Sequence, residues 1–365
     1  MNEAQSDIYR KLQKHLDKYP IGFPPTESGI EIELLKHLFS PNEAKIACKL
    51  SDSYESLETI HERVKNMVKS IDDLIYKLDN MVKKGAIHYK TINGRRYYAN
   101  AYLLIGMYEY QINKLTKEFY NDFWSYTYGA FMSEVFGTQI SQFRTVPVEK
   151  SITPEHYVPT YDELRKIVEN TKGPIGVAEC ICRQGKKMIG EPCKMTSRLE
   201  TCIGFGDMAQ LYNDQGWGRE VSKEEALQII QKNEEEGLVL QAFNTINPEF
   251  ICSCCGCCCG MLSNCKILPQ PAKFLASTFQ AEVDLELCQG CGTCVDRCQM
   301  NAIKLRKGIA KLNKKKCIGC GNCVPTCPVN AIQLNKKEKI DIPFETTEQL
   351  YSAILERKKE MTKIK

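Results

Sequence analysis

Cys288-Gln289-Gly290-Cys291-Gly292-Thr293-Cys294-Val295-Asp296-Arg297-Cys298 carries the most information in this chain, because it recurs 29 residues later. The second copy is Cys317-Ile318-Gly319-Cys320-Gly321-Asn322-Cys323-Val324-Pro325-Thr326-Cys327, followed by Pro328. The likeness continues beyond the cysteines, with Asn301-Ala302-Ile303 matched by Asn330-Ala331-Ile332. Each copy spaces four cysteines as C-x2-C-x2-C-x3-C. A zinc site takes pairs of ligands, so a duplicated quartet argues against zinc here. The glycines within the spacers permit strained turns and expose backbone N–H groups to the sulfurs.

In spacing and glycines, residues 281–336 closely resemble the bacterial two-cluster ferredoxins, whose runs of this form ligate [4Fe–4S] cubes. The resemblance implies a crossed ligand set, since the fourth cysteine of each run serves the other cube. Cys288, Cys291, Cys294 and Cys327 then surround the first cluster, and Cys298, Cys317, Cys320 and Cys323 the second. One departure stands out: Gln299 occupies the place of the proline that follows the fourth cysteine in that family, a change expected to loosen the turn without removing a ligand. Lys304, Arg306, Lys307, Lys311 and the lysines at 314–316 lie between the quartets and give the module a positive edge. A solvated surface or a docking edge for an acidic redox partner protein fits that charge.

Composition sets the wider limits. The chain has 365 residues, of which 43% are hydrophobic and 26% charged, so it can build a large core without disulfide staples. No apolar leader opens it, and the longest charge-free stretches, 97–108 and 250–265, fall short of the roughly 18 residues a membrane span needs. Twenty cysteines in a cytoplasmic chain point to metal binding or redox chemistry. The net charge of +4 is cancelled by two cubes, each about −2 with its thiolates, so mild basicity says little about nucleic acid.

An α+β multidomain chain is expected. Residues 1–150 read as helical. Ser40-Pro41-Asn42-Glu43 forms a capping box, helices over 56–84 break near Ser70 and stop at Gly85, and Asn93-Gly94 marks a hairpin. Helices followed by a hairpin over 30–100 weakly resemble a winged helix-turn-helix. Aromatics crowd residues 97–143 and suggest a packed core, a cofactor face or an interface. Residues 151–275 read as a cysteine-rich α/β region, residues 280–340 as the ferredoxin-like domain with its two-fold repeat, and 345–365 as a helical tail. Within the middle region a helix is expected behind a Thr160–Glu163 capping box, and a strand across Cys180 and Cys182. A second helix starts at Ser222 and stops at Gly237, and a strand runs from about residue 238.

The middle region also holds the candidate third metal or cluster site, drawn from Cys180, Cys182, Cys193, Cys202, Cys252, Cys254, Cys255, Cys257, Cys258 and Cys259. On a strand Cys180 and Cys182 share one face. The six cysteines of 252–259 cannot easily serve one cube, and Gly256 and Gly260 would let the chain bend around a cluster. A further iron–sulfur cluster is the favoured occupant, with a mononuclear zinc or iron ion or free thiols as alternatives. Arg183, Lys186 and Lys187 either support cluster charge or are surface charges. Cys48 reads as a small core residue, Cys265 is undecided, and His156 is assigned no role.

These features favour an iron–sulfur electron carrier or oxidoreductase component, from an oxygen-poor setting because exposed cubes oxidise readily. The alternatives are a redox-responsive winged-helix regulator and an oxidoreductase subunit with a catalytic cluster in the middle region. No nucleotide fingerprint and no acid/base constellation appears, so catalytic residues and substrate stay unassigned. DNA binding is disfavoured because residues 1–100 carry only two more basic than acidic side chains.

Overall fold

The computed structural model describes residues 3–152 and 160–364, so His156 lies outside the described residues. The chain forms two units, 1–138 with 351–365, and 139–350.

In the first unit α1 (Glu3–Leu16), α2 (Ile30–Leu38) and α3 (Pro41–Ala47) bury Leu12, Leu34, Leu35 and Ile46. Ser40 and Glu43 form the expected capping box: Ser40 N–H donates to the Glu43 carboxylate at 2.7 Å, and Glu43 N–H to Ser40 Oγ at 3.4 Å. Next come β1 (Glu55–Ser56), α4 (Leu57–Val64), α5 (Ile71–Lys84), β2 (Ile87–Ile92) and β3 (Arg95–Asn100), with sheet order β1-β3-β2. Ser70 caps α5, and Gly85 ends it at φ 75°, where a Cβ would lie 2.6 Å from that of Tyr110. Most of the aromatic stretch is core, although Tyr128 is exposed. Tyr108 stacks on Phe123 at 3.7 Å, and α6 (Lys117–Tyr126) with α7 (Met132–Gly137) encloses Phe119, Tyr126 and Phe131. Cys48 caps the end of α3, half-buried. The C-terminal helix, Thr347–Ile364, sets Tyr351 against Tyr102 and pairs Lys358 with Glu134.

The second unit is built on a six-stranded antiparallel sheet. Its strands are β4 (Phe143–Val146), β5 (Ile175–Glu179), β6 (Glu200–Phe205), β7 (Gly218–Glu220), β8 (Val239–Phe243) and β9 (Phe250–Cys254), in the order β4-β8-β9-β6-β5-β7. Between them run α8 (Leu164–Asn170), α9 (Ile181–Met188), α10 (Gly206–Asp214) and α11 (Lys223–Glu235), with α12 (Gly260–Ile267) after β9. One core joins Leu164, Val168, Ala226 and Ile230 to Val146, Val177, Ile203 and Ile251. Each such aliphatic side chain contributes about 1.5–3 kcal/mol by leaving water.

Two local expectations are corrected. Thr160–Asp162 is a short 3-10 turn, and α8 starts only at Leu164, with no side-chain cap at Glu163. Asp162 instead turns inward, where it pairs with Arg144 and accepts the Thr278 hydroxyl; both members of the pair are essentially inaccessible. That buried pair holds residues 160–162 in the short turn, so the helix begins after it instead of at Thr160. The expected strand across Cys180 and Cys182 is also cut short. The β5–β6 ladder shifts register at Ala178/Glu179, β5 ends at Glu179, and Cys180 becomes the N-cap of α9.

The same unit ends in the cysteine repeat. Here β10 (Phe279–Val283) pairs with β13 (Ile332–Lys336), β11 (Ile303–Arg306) pairs with β12 (Ile309–Leu312), and α13 is one short turn, Thr293–Arg297.

Candidate metal centres

The two halves of the repeat are matched in detail. Ala310 N–H donates to Cys288 Sγ at 3.4 Å, and Ala281 N–H to Cys317 Sγ at 3.4 Å. Ala302 N–H likewise reaches Cys298 Sγ at 3.3 Å, and Ala331 N–H reaches Cys327 Sγ at 3.2 Å. Such bonds stabilise sulfur charge and orient the ligand. Gly290 and Gly319 hold φ near 70°, and a Cβ on either would meet a carbonyl oxygen, Gly308 at 1.8 Å or Phe279 at 2.1 Å. Each loop therefore presses directly on a facing strand or turn, as a chain wound tightly around an inorganic core must.

One small cavity is lined by Cys288, Cys291, Cys294 and Cys327, three cysteines of one half with the fourth of the other. Cys298 in turn lies within electrostatic reach of Cys317, Cys320 and Cys323. The donor chemistry and the glycine cradles fit a cube at both quartets, and the cavity fits one at the first. Burial pushes the Cys320 thiol up to about 12, so loading this quartet releases protons as metal arrives. Cys291 differs: it is exposed, and the Thr293 hydroxyl holds its thiol below the ordinary range.

The ten cysteines of the middle region divide. Cys193, Cys255, Cys257 and Cys258 converge, with Sγ–Sγ distances of 3.5 Å (193–255), 3.8 Å (193–257), 3.5 Å (255–257) and 3.7 Å (257–258). Among the described residues this is the only set of three or more such ligands whose atoms all lie within 4.8 Å of one another. A tetrahedral ion with metal–sulfur bonds of about 2.3 Å has sulfur edges of about 3.8 Å, so the set matches one ion. A cube spreads its thiolates farther apart because each binds a different iron. Hydrogen bonds from Cys255, Cys257 and Cys258 hold the Cys193 thiol far below its ordinary range, which concentrates negative charge where a cation would sit. Cys182 packs against this quartet.

Cys180, Cys202, Cys252, Cys254 and Cys259 form a separate row, each interacting electrostatically with the next in that order. Cys265 is buried in α12, where burial pushes its thiol up to about 12. Lys186 and Lys187 lie in the last turn of α9, Lys186 paired with Glu191. Arg183 is no surface charge. It is 1% exposed, donating to Thr201 Oγ1 at 2.7 Å, to the Arg198 carbonyl at 3.2 Å and to the Ser253 carbonyl.

Sequence reasoning missed the junction between the quartet and the repeat. Gln299 Oε1 accepts the Gly256 N–H at 2.9 Å, and a Cβ on Gly256 would lie 2.3 Å from the Gln299 carbonyl oxygen. Gln299 does not loosen the ferredoxin turn; it clamps the Cys298 segment onto the Cys255-Gly256-Cys257 turn. Gly256 serves this close approach and has no left-handed backbone. Asn322 and Arg297 add bonds from the repeat to the carbonyls of Gly237, Leu238, Glu234 and Glu235. The signal available in the sequence was the missing proline itself.

Residues 281–334 match the family described as 4Fe-4S dicluster domain. No curated protein and no solved structure matches the chain. The C-terminal part of the second unit is thus a 4Fe–4S ferredoxin-type domain, and the chain is an iron–sulfur protein with a further cysteine cluster. No described helix is long and apolar enough to cross a membrane.

Proposed function

We propose that this chain is an electron-transfer protein whose two [4Fe–4S] cubes connect an external redox partner to metal held by the middle region. When bound, a cube stores and releases one electron at a time. Cys288, Cys291, Cys294 and Cys327 hold the outer cube, and Cys298, Cys317, Cys320 and Cys323 the inner one. The Cys193 quartet holds a single metal ion: iron there can take the electron, whereas zinc, which has no redox chemistry, would only fix the turn.

The observation that carries this reading is the asymmetry of the two quartets. Cys291 is exposed, flanked by the exposed Leu287 and Leu305, whereas Cys298 is followed directly by the Gln299 clamp on the metal-binding turn. One end therefore faces solvent and the other faces the second cysteine site. Lys304, Lys307 and Lys311 are exposed around Leu305, which suits an acidic donor protein. Leu305→Glu tests this. Reduction by an acidic bacterial ferredoxin should slow about tenfold at low salt, while reduction by dithionite stays unchanged. Equal rates with the protein donor would overturn the assigned entry edge.

The three-stranded sheet of the first unit, in the order β1-β3-β2, supports a winged-helix-like reading, and its paired basic residues support a protein-docking role over DNA reading. Arg96 pairs with Asp79 at 3.0 Å and Lys84 with Glu43 at 2.6 Å, so neither offers a free charge to phosphate. A duplex bound with a steep salt dependence would reverse this assignment.

A further inference from the structure

We infer that the second unit holds another iron–sulfur centre, separate from the Cys193 quartet. In it, four of the five thiols of Cys180, Cys202, Cys252, Cys254 and Cys259 grip a polynuclear iron–sulfide cluster, with Arg183 as its buried counter-charge. The electron supply to this centre rests on the reading above, but its existence does not.

Strand register brings these thiols together. Ile203 pairs with Ile251 across β6 and β9, which sets Cys202 beside Cys252 on the next step of the ladder. Cys254 shares the face of Cys252 by the two-residue period of a strand. The opposite face is taken by Ile251, in the aliphatic core, and by Ser253, whose hydroxyl accepts from Asn233 at 2.7 Å. Cys180 and Cys259 close the row from its two ends, as the N-caps of α9 and α12. A thiolate there faces the positive end of a helix.

The shape of the row excludes a single ion. Each sulfur interacts with the next, yet no three of them lie mutually within 4.8 Å, a condition that only the Cys193 quartet meets among the described residues. Ligands that each bind a different metal of one cluster need this wider spread.

Charge gives the independent argument. A guanidinium removed from water is costly unless an opposite charge meets it. Arg183 forms no ion pair with any described carboxylate, and its Nε has no hydrogen-bond partner. The sulfurs of Cys180 and Cys202 act on it most strongly, ahead of those of Cys255 and Cys193. A thiolate-bound cluster beside Cys180 supplies the missing charge.

The test uses the full chain, purified and reconstituted without air. Cys202→Ser and Cys252→Ser should each remove about four irons and four acid-labile sulfides, as one cube would, and leave the ferredoxin signals intact. Cys257→Ser should remove one metal ion and no sulfide. Arg183→Met should lower the potential of the additional centre without moving those of the repeat, and Arg183→Lys should restore part of it. A merely structural arginine would change stability and leave the potentials alone. Two results would overturn the proposal: sulfide unchanged in both Cys202→Ser and Cys252→Ser, or the same sulfide lost in Cys257→Ser. Retained ferredoxin EPR excludes global misfolding in every variant, and a failed electron-transfer assay leaves these counts standing.

Discussion

Gly256→Ala is the sharpest perturbation of the junction between the quartet and the ferredoxin-type domain. The added methyl would sit 2.3 Å from the Gln299 carbonyl oxygen and 3.4 Å from its Oε1. An ordinary contact needs about 1 Å more, and the obstacle is backbone, so one loop must move away from the other. Overpacking of this kind costs about 1–3 kcal/mol. Losing the 2.9 Å bond from Gly256 N–H to Gln299 adds about 1 kcal/mol more. The expected total of about 2–4 kcal/mol is readable as a lower urea midpoint, followed without air through cluster absorbance. Gln299→Ala, which removes the bond without the clash, should show only the smaller part. Electron passage from the reduced repeat into the middle region should slow in both, by more in Gly256→Ala. A Gly256→Ala protein with wild-type midpoint and wild-type transfer rate would refute the clamp.

Two further outcomes are expected. Cys291→Ala and Cys320→Ala should each lose one cube, about four irons, while the metal of the Cys193 quartet stays; loss of all iron from either would contradict separate centres. In the first unit, burial pushes Glu109 up to about 7 although its carboxylate accepts the Gly106 N–H at 3.0 Å. The unfolded chain releases this proton near pH 4.5 and the folded chain only near 7, so stability falls as pH rises through that window. Glu109→Gln keeps an acceptor and cannot ionise. It should flatten this fall and gain about 1–3 kcal/mol at pH 8 in urea unfolding, with little change at pH 4.

What could be read from the sequence follows from how local each cause is. The repeat was legible because its ligands sit two or three residues apart, and that spacing survives any tertiary arrangement. Ser40, Ser70, Gly85 and Asn93-Gly94 were legible for the same reason, since caps and turns act within four residues. The middle region was not. Cys193 meets Cys255 across 62 positions, and the division of ten cysteines into a tight quartet and a longer row depends on strand register. The strand pair that Cys180 and Cys182 suggest is broken by a register shift between Ala178 and Glu179 and by the end of β5 at Glu179. Arg183 could not be told from its neighbours Lys186 and Lys187 by composition; only the helix phase that turns it inward sets it apart.

Quantifying iron, zinc and acid-labile sulfide in protein prepared strictly without air, with EPR after dithionite reduction, tests the central claim most directly. Two filled ferredoxin quartets predict at least about eight irons and eight sulfides per chain and the spectrum of two interacting reduced cubes. Colourless protein without labile sulfide, or zinc in place of iron at Cys288–Cys327 positions, would contradict it.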